Sequence, residues 1–240
     1  MNIYKEIAET DGLVTDVDGV PYPTVPRFRF PKDFLPFLVE SVSKGNIRAP
    51  LAYTYYWCSK TGSRSRLPSI MFSGYHAVAQ NMRESDYETS GKKFFDVRVD
   101  KGYIKFLDTF IEARKPVVVC SRNPAVKYIL RPPHITDIVS NKLVFDENGV
   151  FERVDMNILD GNDKRNELES YLRSNYSPLE NWTYIGDAYQ DIPSGRGAKV
   201  FLASPYANGR CKKEATVIND YDNFARNLQR EMPKVKPSQI

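Results

Sequence analysis

Histidine and cysteine are scarce in this 240-residue chain. There are two histidines, His76 and His134, and three cysteines, Cys58, Cys120 and Cys211. Two histidines argue against a His-rich zinc site. The cysteines are far apart, odd in number and form no CxxC pair. A disulfide framework is therefore not expected, and a reducing, cytoplasmic compartment is. Long apolar runs are also missing. The longest lies near Pro116–Cys120, far short of the ~20 residues needed to span a bilayer, so no membrane association is expected. The opening MNIYKEIAETDG is charged and has no apolar core of a secretory signal. Neither sign of charge dominates: 34 Lys and Arg against 30 Asp and Glu give +4. That bias admits anionic substrates but does not make a nucleic-acid platform. No internal repeat is found. What is present is 41% hydrophobic, 12% aromatic and 27% charged residues. This composition excludes whole-chain disorder and suffices for a packed core. At ~150 residues per domain, one to two domains are expected.

The chain divides into three stretches. Gly12–Pro21 reads as a short buried strand ending in an acidic turn, TDVDG. Residues 21–37 carry five prolines, which exclude a regular helix and suggest a flap. Residues 33–98 are hard to read. Phe34, Leu35, Phe37, Leu38 and Val42 recur at near-helical spacing, and Ile70–Met82 suggests a second helix. Between them, aromatics at 53–57 precede Lys60, Arg64 and Arg66. From Tyr103 onward strands and helices alternate. Helices are expected at Tyr103–Arg114, Ala125–Leu130, Asp163–Ser174 and Asp222–Gln229. Strands are expected at Val117–Cys120, Leu143–Phe145, Val150–Val154, Trp182–Ile185 and Val200–Ala203. Such alternation predicts an α/β fold: an open, Rossmann-like parallel sheet flanked by helices.

Ligands of such sheets bind at the carboxyl ends of the strands. Asp16, Asp18, Ser121 and Asp187 each follow directly on an apolar strand, so they are expected to converge there. Asp16 and Asp18, two residues apart in extended chain, share a face. Carboxylates that close repel unless a cation lies between them or one is protonated. With Asp187 and Asp191 they make an all-oxygen set suited to a hard divalent cation, most simply Mg2+ completed by substrate oxygens. That combination suggests phosphoryl transfer. Asp16 is the expected nucleophile and Asp18 the expected general acid and base. Ser121 would donate to a phosphoryl oxygen, and Lys164 would neutralise developing charge. Arg165 is a rival for that role, and Arg122 either reaches the phosphate or faces solvent.

These motifs, taken in order, resemble the haloacid dehalogenase superfamily of phosphohydrolases. Its first motif corresponds to LVTDVDGV (13–20), its second to VVVCS ending at Ser121, its third to Lys164, and its fourth, GDxxxD, to 186–191. Any one alone has a plain structural reading, such as a turn, a helix cap or a surface lysine. All four in sequence do not. The resemblance implies Asp16 as nucleophile and metal ligand, and Asp18 as acid/base with its carbonyl on the metal. It implies Asp187 as a direct ligand, with Asp191 supporting the metal through water or orienting Lys164. An aspartate at position 18 implies a phosphatase rather than a dehalogenase.

From Asp16 to Ser121 is 105 residues, but from Ser121 to Lys164 only 43. The insertion thus lies where this superfamily places its type 1 cap, as in phosphoserine phosphatase-like members. The implied division is a catalytic core of 1–21 and 99–232, a flap and mainly helical cap of 22–98, and a frayed tail of 233–240. The expected activity is Mg2+-dependent hydrolysis of a small phosphorylated metabolite through an aspartyl-phosphate. A phosphotransferase, a nucleic-acid-end phosphatase and a catalytically silent binding protein are the alternatives.

Overall fold

The computed structural model describes residues 2–17, 19–22, 35–46, 76 and 78–233. Three apolar runs form the centre of its main sheet. β1 (Leu13–Thr15), β2 (Val117–Ser121) and β6 (Thr183–Gly186) are buried along their whole length. A strand covered on both faces needs apolar or β-branched residues throughout, and LVT, VVVCS and TYIG largely supply them. β3 (Asp137–Ser140), β7 (Val200–Ala203) and β8 (Thr216–Val217) complete a parallel sheet in the order β3-β2-β1-β6-β7-β8. Separately, β4 (Lys142–Phe145) and β5 (Phe151–Asp155) form an antiparallel hairpin.

The helices among the described residues are, in chain order, α1 (Ile3–Ala8), α2 (Leu35–Ser43), α3 (Glu84–Arg98), α4 (Lys101–Glu112) and α5 (Val126–Ile129). They continue as α6 (Gly161–Asn175), α7 (Ile192–Gly197), α8 (Gly209–Glu214) and α9 (Tyr221–Glu231). Strand alternation feeds two cores. Leu13, Val117, Val119 and Ile185 pack with Tyr103, Phe106 and Phe110 of α4 and with Phe224 and Leu228 of α9. Val14, Val118, Cys120 and Tyr184 pack on the other face with Leu168 and Leu172 of α6. The sheet is thus covered on both sides, and its open margin is the row of strand ends. None of the helices among the described residues is long and apolar enough to cross a membrane.

Two elements depart from the sequence expectation. A sheet strand, β3, lies at Asp137–Ser140, which is not among the strands expected from the sequence. It is an edge strand and largely half-buried, so DIVS carries little apolar signal. The unread region ends in the 15-residue α3. Its buried face is Tyr87, Ser90, Gly91 and Phe94, which is helical spacing written partly in small residues. The residues 53–66, with Lys60, Arg64 and Arg66, lie outside the described residues. So does most of the helix expected at Ile70–Met82, although His76, Val78 and Ala79 within it are helical.

The chain leaves the sheet at Pro21 and returns at Asp100, where the Asp100 N–H donates to the Pro21 carbonyl at 2.8 Å. Inside that excursion Phe37 of α2 stacks on Tyr87 of α3, ring centroids 4.7 Å apart. Tyr87 in turn lies 5.3 Å from Tyr128 of α5 and 5.8 Å from Phe145 of β4. The return path is tied to the hairpin. Arg83 pairs with Val150, the Glu84 N–H donates to the Gly149 carbonyl (2.9 Å), and the Phe151 N–H donates to the Met82 carbonyl (3.1 Å).

Candidate active site

The register places Thr15 beside Val119 of β2 and Ile185 of β6. Asp16, Ser121 and Asp187 therefore emerge at one edge of the sheet. Carboxylate oxygens of Asp16, Asp187 and Asp191 lie within 4.8 Å of one another, and all three residues are buried. Lys164, on the first turns of α6, points into this group. Its Nζ is 2.9 Å from Asp16 Oδ1 and 2.7 Å from Asp191 Oδ1. Asp160 caps α6 by accepting from the backbone N–H groups of Asn162 and Asp163, which fixes where the helix starts and so where the lysine projects.

A lysine that is only 2% exposed is costly unless it is paired. Burial alone depresses an ammonium. Here the carboxylates of Asp16 and Asp191 outweigh it and hold Lys164 well above its ordinary value. Asp191 shows the reverse balance: burial raises it, and Lys164 and its other donors bring it below the usual aspartate value. Every lone-pair position of Asp191 is used. Oδ1 accepts from Lys164 and from the Tyr184 hydroxyl (2.9 Å), and Oδ2 accepts from the N–H groups of Asp187 and Ala188 (3.0 and 3.1 Å). Of the two roles expected for Asp191, orienting Lys164 is the one these bonds occupy. They also fold the loop that carries Asp187.

Two glycines make the margin possible. Gly19 has φ +83°, the left-handed region, and its carbonyl accepts from Ser204 Oγ at 3.0 Å. At Gly186 a Cβ would lie 2.4 Å from the Asp191 side chain, so no larger residue fits there.

Ser121 is fully buried at the tip of β2. Its Oγ accepts from the Asn123 N–H at 3.1 Å, leaving the hydroxyl hydrogen to donate. Arg122 is half-buried and turns sideways: its guanidinium donates to Gln190 Oε1 and to the Leu159 carbonyl. It thus bridges the β2, β6 and pre-α6 loops. Arg165, the alternative to Lys164, pairs with Glu169 on the same helix (2.7 Å). His134 pairs with Asp108 (2.6 Å). Asp18 lies outside the described residues. Sequence reasoning missed Tyr184 and Gln190, whose parts depend on loops that meet only in the folded chain. It also missed Asn141, which bonds to the Arg122 carbonyl.

The donor set fits a hard divalent cation. Among the described residues the cluster offers only oxygen ligands and sets three carboxylates against one ammonium, an excess of negative charge at a buried strand edge. The fold, a parallel sheet with buried acidic groups and a lysine at its strand ends, is shared with solved structures of phosphoserine phosphatases and a HAD family hydrolase. A substrate-bound phosphoserine phosphatase complex matches at TM-score 0.63 and 15% identity, covering 92% of this chain and 97% of that one. A phospho-aspartyl intermediate analogue of phosphoserine phosphatase matches at TM-score 0.64 and 15% identity, covering 94% and 100%. A HAD family hydrolase from Salmonella enterica subsp. enterica serovar Typhi matches at TM-score 0.63 and 11% identity, covering 90% and 70%. No protein-family model and no curated protein matches the sequence.

Proposed function

We propose that the protein is a Mg2+-dependent phosphomonoesterase acting on a small phosphate ester. The observation that carries this is the buried Asp16–Asp187–Asp191 cluster organised around Lys164 at the strand ends. The shared fold with a phosphoserine phosphatase solved as a phospho-aspartyl intermediate analogue supports it.

Asp16 and Asp187 would hold the cation directly, since Asp191 is committed to Lys164, Tyr184 and two backbone donors. Bound there, the cation would neutralise charge on the phosphoryl oxygens. Asp16 attacks phosphorus in line, the P–O bond to the alcohol breaks, and an aspartyl-phosphate forms. Asp18 gives its proton to the departing alkoxide, then takes one from the water that cleaves the intermediate. Lys164 stays protonated throughout and keeps Asp16 ionised and aimed. Ser121 donates its hydroxyl to a phosphoryl oxygen. Arg122 contributes at the rim, where its ties to Gln190 and Leu159 fix its direction.

In this reading the flap and cap role falls to residues 22–98 and the catalytic core to 1–21 with 99–232. The meeting of Pro21 and Asp100 supports that division. A reducing, cytoplasmic setting suits Cys120 and Cys211, both free and buried.

Phosphate release from an aryl phosphate and a panel of phosphometabolites, with Mg2+ or chelator, tests the proposal. Release that requires Mg2+ and is abolished by Asp16→Asn is the expected result. Undiminished release by Asp16→Asn would exclude Asp16 as nucleophile.

A further inference from the structure

Asn141 joins β3 to β4 and is only 1% exposed. Its amide makes four hydrogen bonds. Nδ2 donates to the carbonyls of Arg122 (2.7 Å) and Ile158 (2.9 Å). Oδ1 accepts from the N–H groups of Asn157 (2.9 Å) and Ile158 (2.8 Å). That is the full capacity of a side-chain amide. The two segments it joins are the two that carry the non-carboxylate half of the site. Arg122 directly follows Ser121, and residues 157–160 lead into α6 and Lys164.

We infer that Asn141 is a positioning residue that sets the spacing between the Ser121 loop and the start of α6. Neither loop belongs to a regular element at these residues, so neither would hold its place by ladder bonds. A backbone-to-backbone contact between them is replaced by one side chain that bonds to both. An asparagine is the residue for this, because only a primary amide offers two donors and a two-lone-pair acceptor on so short a stem. A second tie runs from the Arg122 guanidinium to the Leu159 carbonyl at 3.5 Å. The loops therefore remain tethered without Asn141, and substitutions there leave a folded protein whose site is out of register. Asp16 and Asp187 directly follow β1 and β6 and take part in none of this amide's four bonds. The inference separates phosphate handling from cation handling.

Its kinetic consequence rests on the phosphatase proposal, while its structural consequence does not. Hydrogen exchange by mass spectrometry on Asn141→Ala should show lost protection at 121–125 and 157–164, with β1 and β6 unchanged. In Asn141→Asp the acceptor bonds to Asn157 and Ile158 persist but both donors are gone, so the 121–125 segment should loosen most, with a smaller loss at 157–158, where the Ile158 carbonyl also loses its donor. Both variants should lose kcat by roughly 10²-fold, as for an ångström-scale misplacement. Inhibition by inorganic phosphate should weaken about tenfold, by the same misplacement of its donors, with the Mg2+ half-saturation unchanged. Should Asn141→Ala not fold, Asn141→Asp gives the same kinetic reading. Unchanged exchange at 121–125 in both variants would overturn the inference, as would equal losses in Mg2+ and phosphate response. If the wild type releases phosphate from no compound, the proposed function falls, and the exchange result alone decides on Asn141.

Discussion

Replacing Lys164 by Met would leave Asp16 and Asp191 confronting each other at a buried edge with no ammonium between them. Breaking one side of a buried ion pair costs about 3–5 kcal/mol. Lys164→Met should therefore lose stability of that order in a denaturant titration, as well as turnover. Added Mg2+ should recover part of the stability but not the activity, since it can neutralise charge but cannot hold Asp191 in place. The same pairing has a pH signature. Asp191 lies below its ordinary value of 3.8 in the folded chain, so its stabilising effect is complete above that value and is lost as pH falls through the folded one. Lys164 lies well above 10.5, so its effect is complete at lower pH and is lost only in strong alkali. Denaturant midpoints should accordingly show no pH dependence from this pair between about pH 5 and pH 10, where its stabilisation is constant. They should decline below pH 4, less steeply in Asp191→Asn. Cys120, beside the same cluster, is pushed up to about 12 by burial, so thiol reagents should leave it unmodified while the protein is folded.

The strand-to-loop junctions are where the site is most sensitive to backbone shape. Gly186→Ala would drive a methyl group to 2.4 Å from Asp191. Because Asp191 also holds Lys164 and the Asp187 loop, activity should fall well before the fold does; kcat against melting temperature for that variant checks this. Asp160→Ala removes the cap of α6 and should cost about 1 kcal/mol, with a further loss in kcat from the displaced Lys164. These junctions also explain what could be read in advance. Asp16, Ser121 and Asp187 are legible because each directly follows an apolar run that has to be a buried strand, so sequence position fixes spatial position. Lys164 is legible only by its order among the motifs. Tyr184 is not, because nothing in WTYIG distinguishes a hydroxyl that reaches Asp191 from one that merely packs. Asn141 is not either, since its partners lie 16 to 19 residues away in two irregular loops. α3 escapes because Ser90 and Gly91 occupy core positions, and β3 because an edge strand need not be apolar.

For the whole molecule, a cation held by the carboxylate cluster at one edge would link its binding to folding. At a Mg2+ concentration about 100 times its dissociation constant, the stabilisation is ~2.7 kcal/mol, or roughly 5–10 °C in melting temperature for a chain of this size. A thermal scan with and without Mg2+ should show that rise. Asp187→Ala should abolish most of it, because Asp187 is one of the two carboxylates proposed to hold the cation directly. The strand order carries a further consequence, for synthesis. β1 stands at the centre of the sheet, yet its neighbours β2 and β6 begin at residues 117 and 183. At ~5–20 residues per second, Ile185 is translated roughly 9–34 s after Thr15. Through that interval the apolar LVT segment has no second partner, and Asp16 lacks Asp187 and Asp191 throughout and Lys164 for most of it. The nascent chain therefore carries Asp16 long before the cluster around Lys164 can assemble, and the proposed phosphatase chemistry would have to wait until most of the polypeptide has left the ribosome.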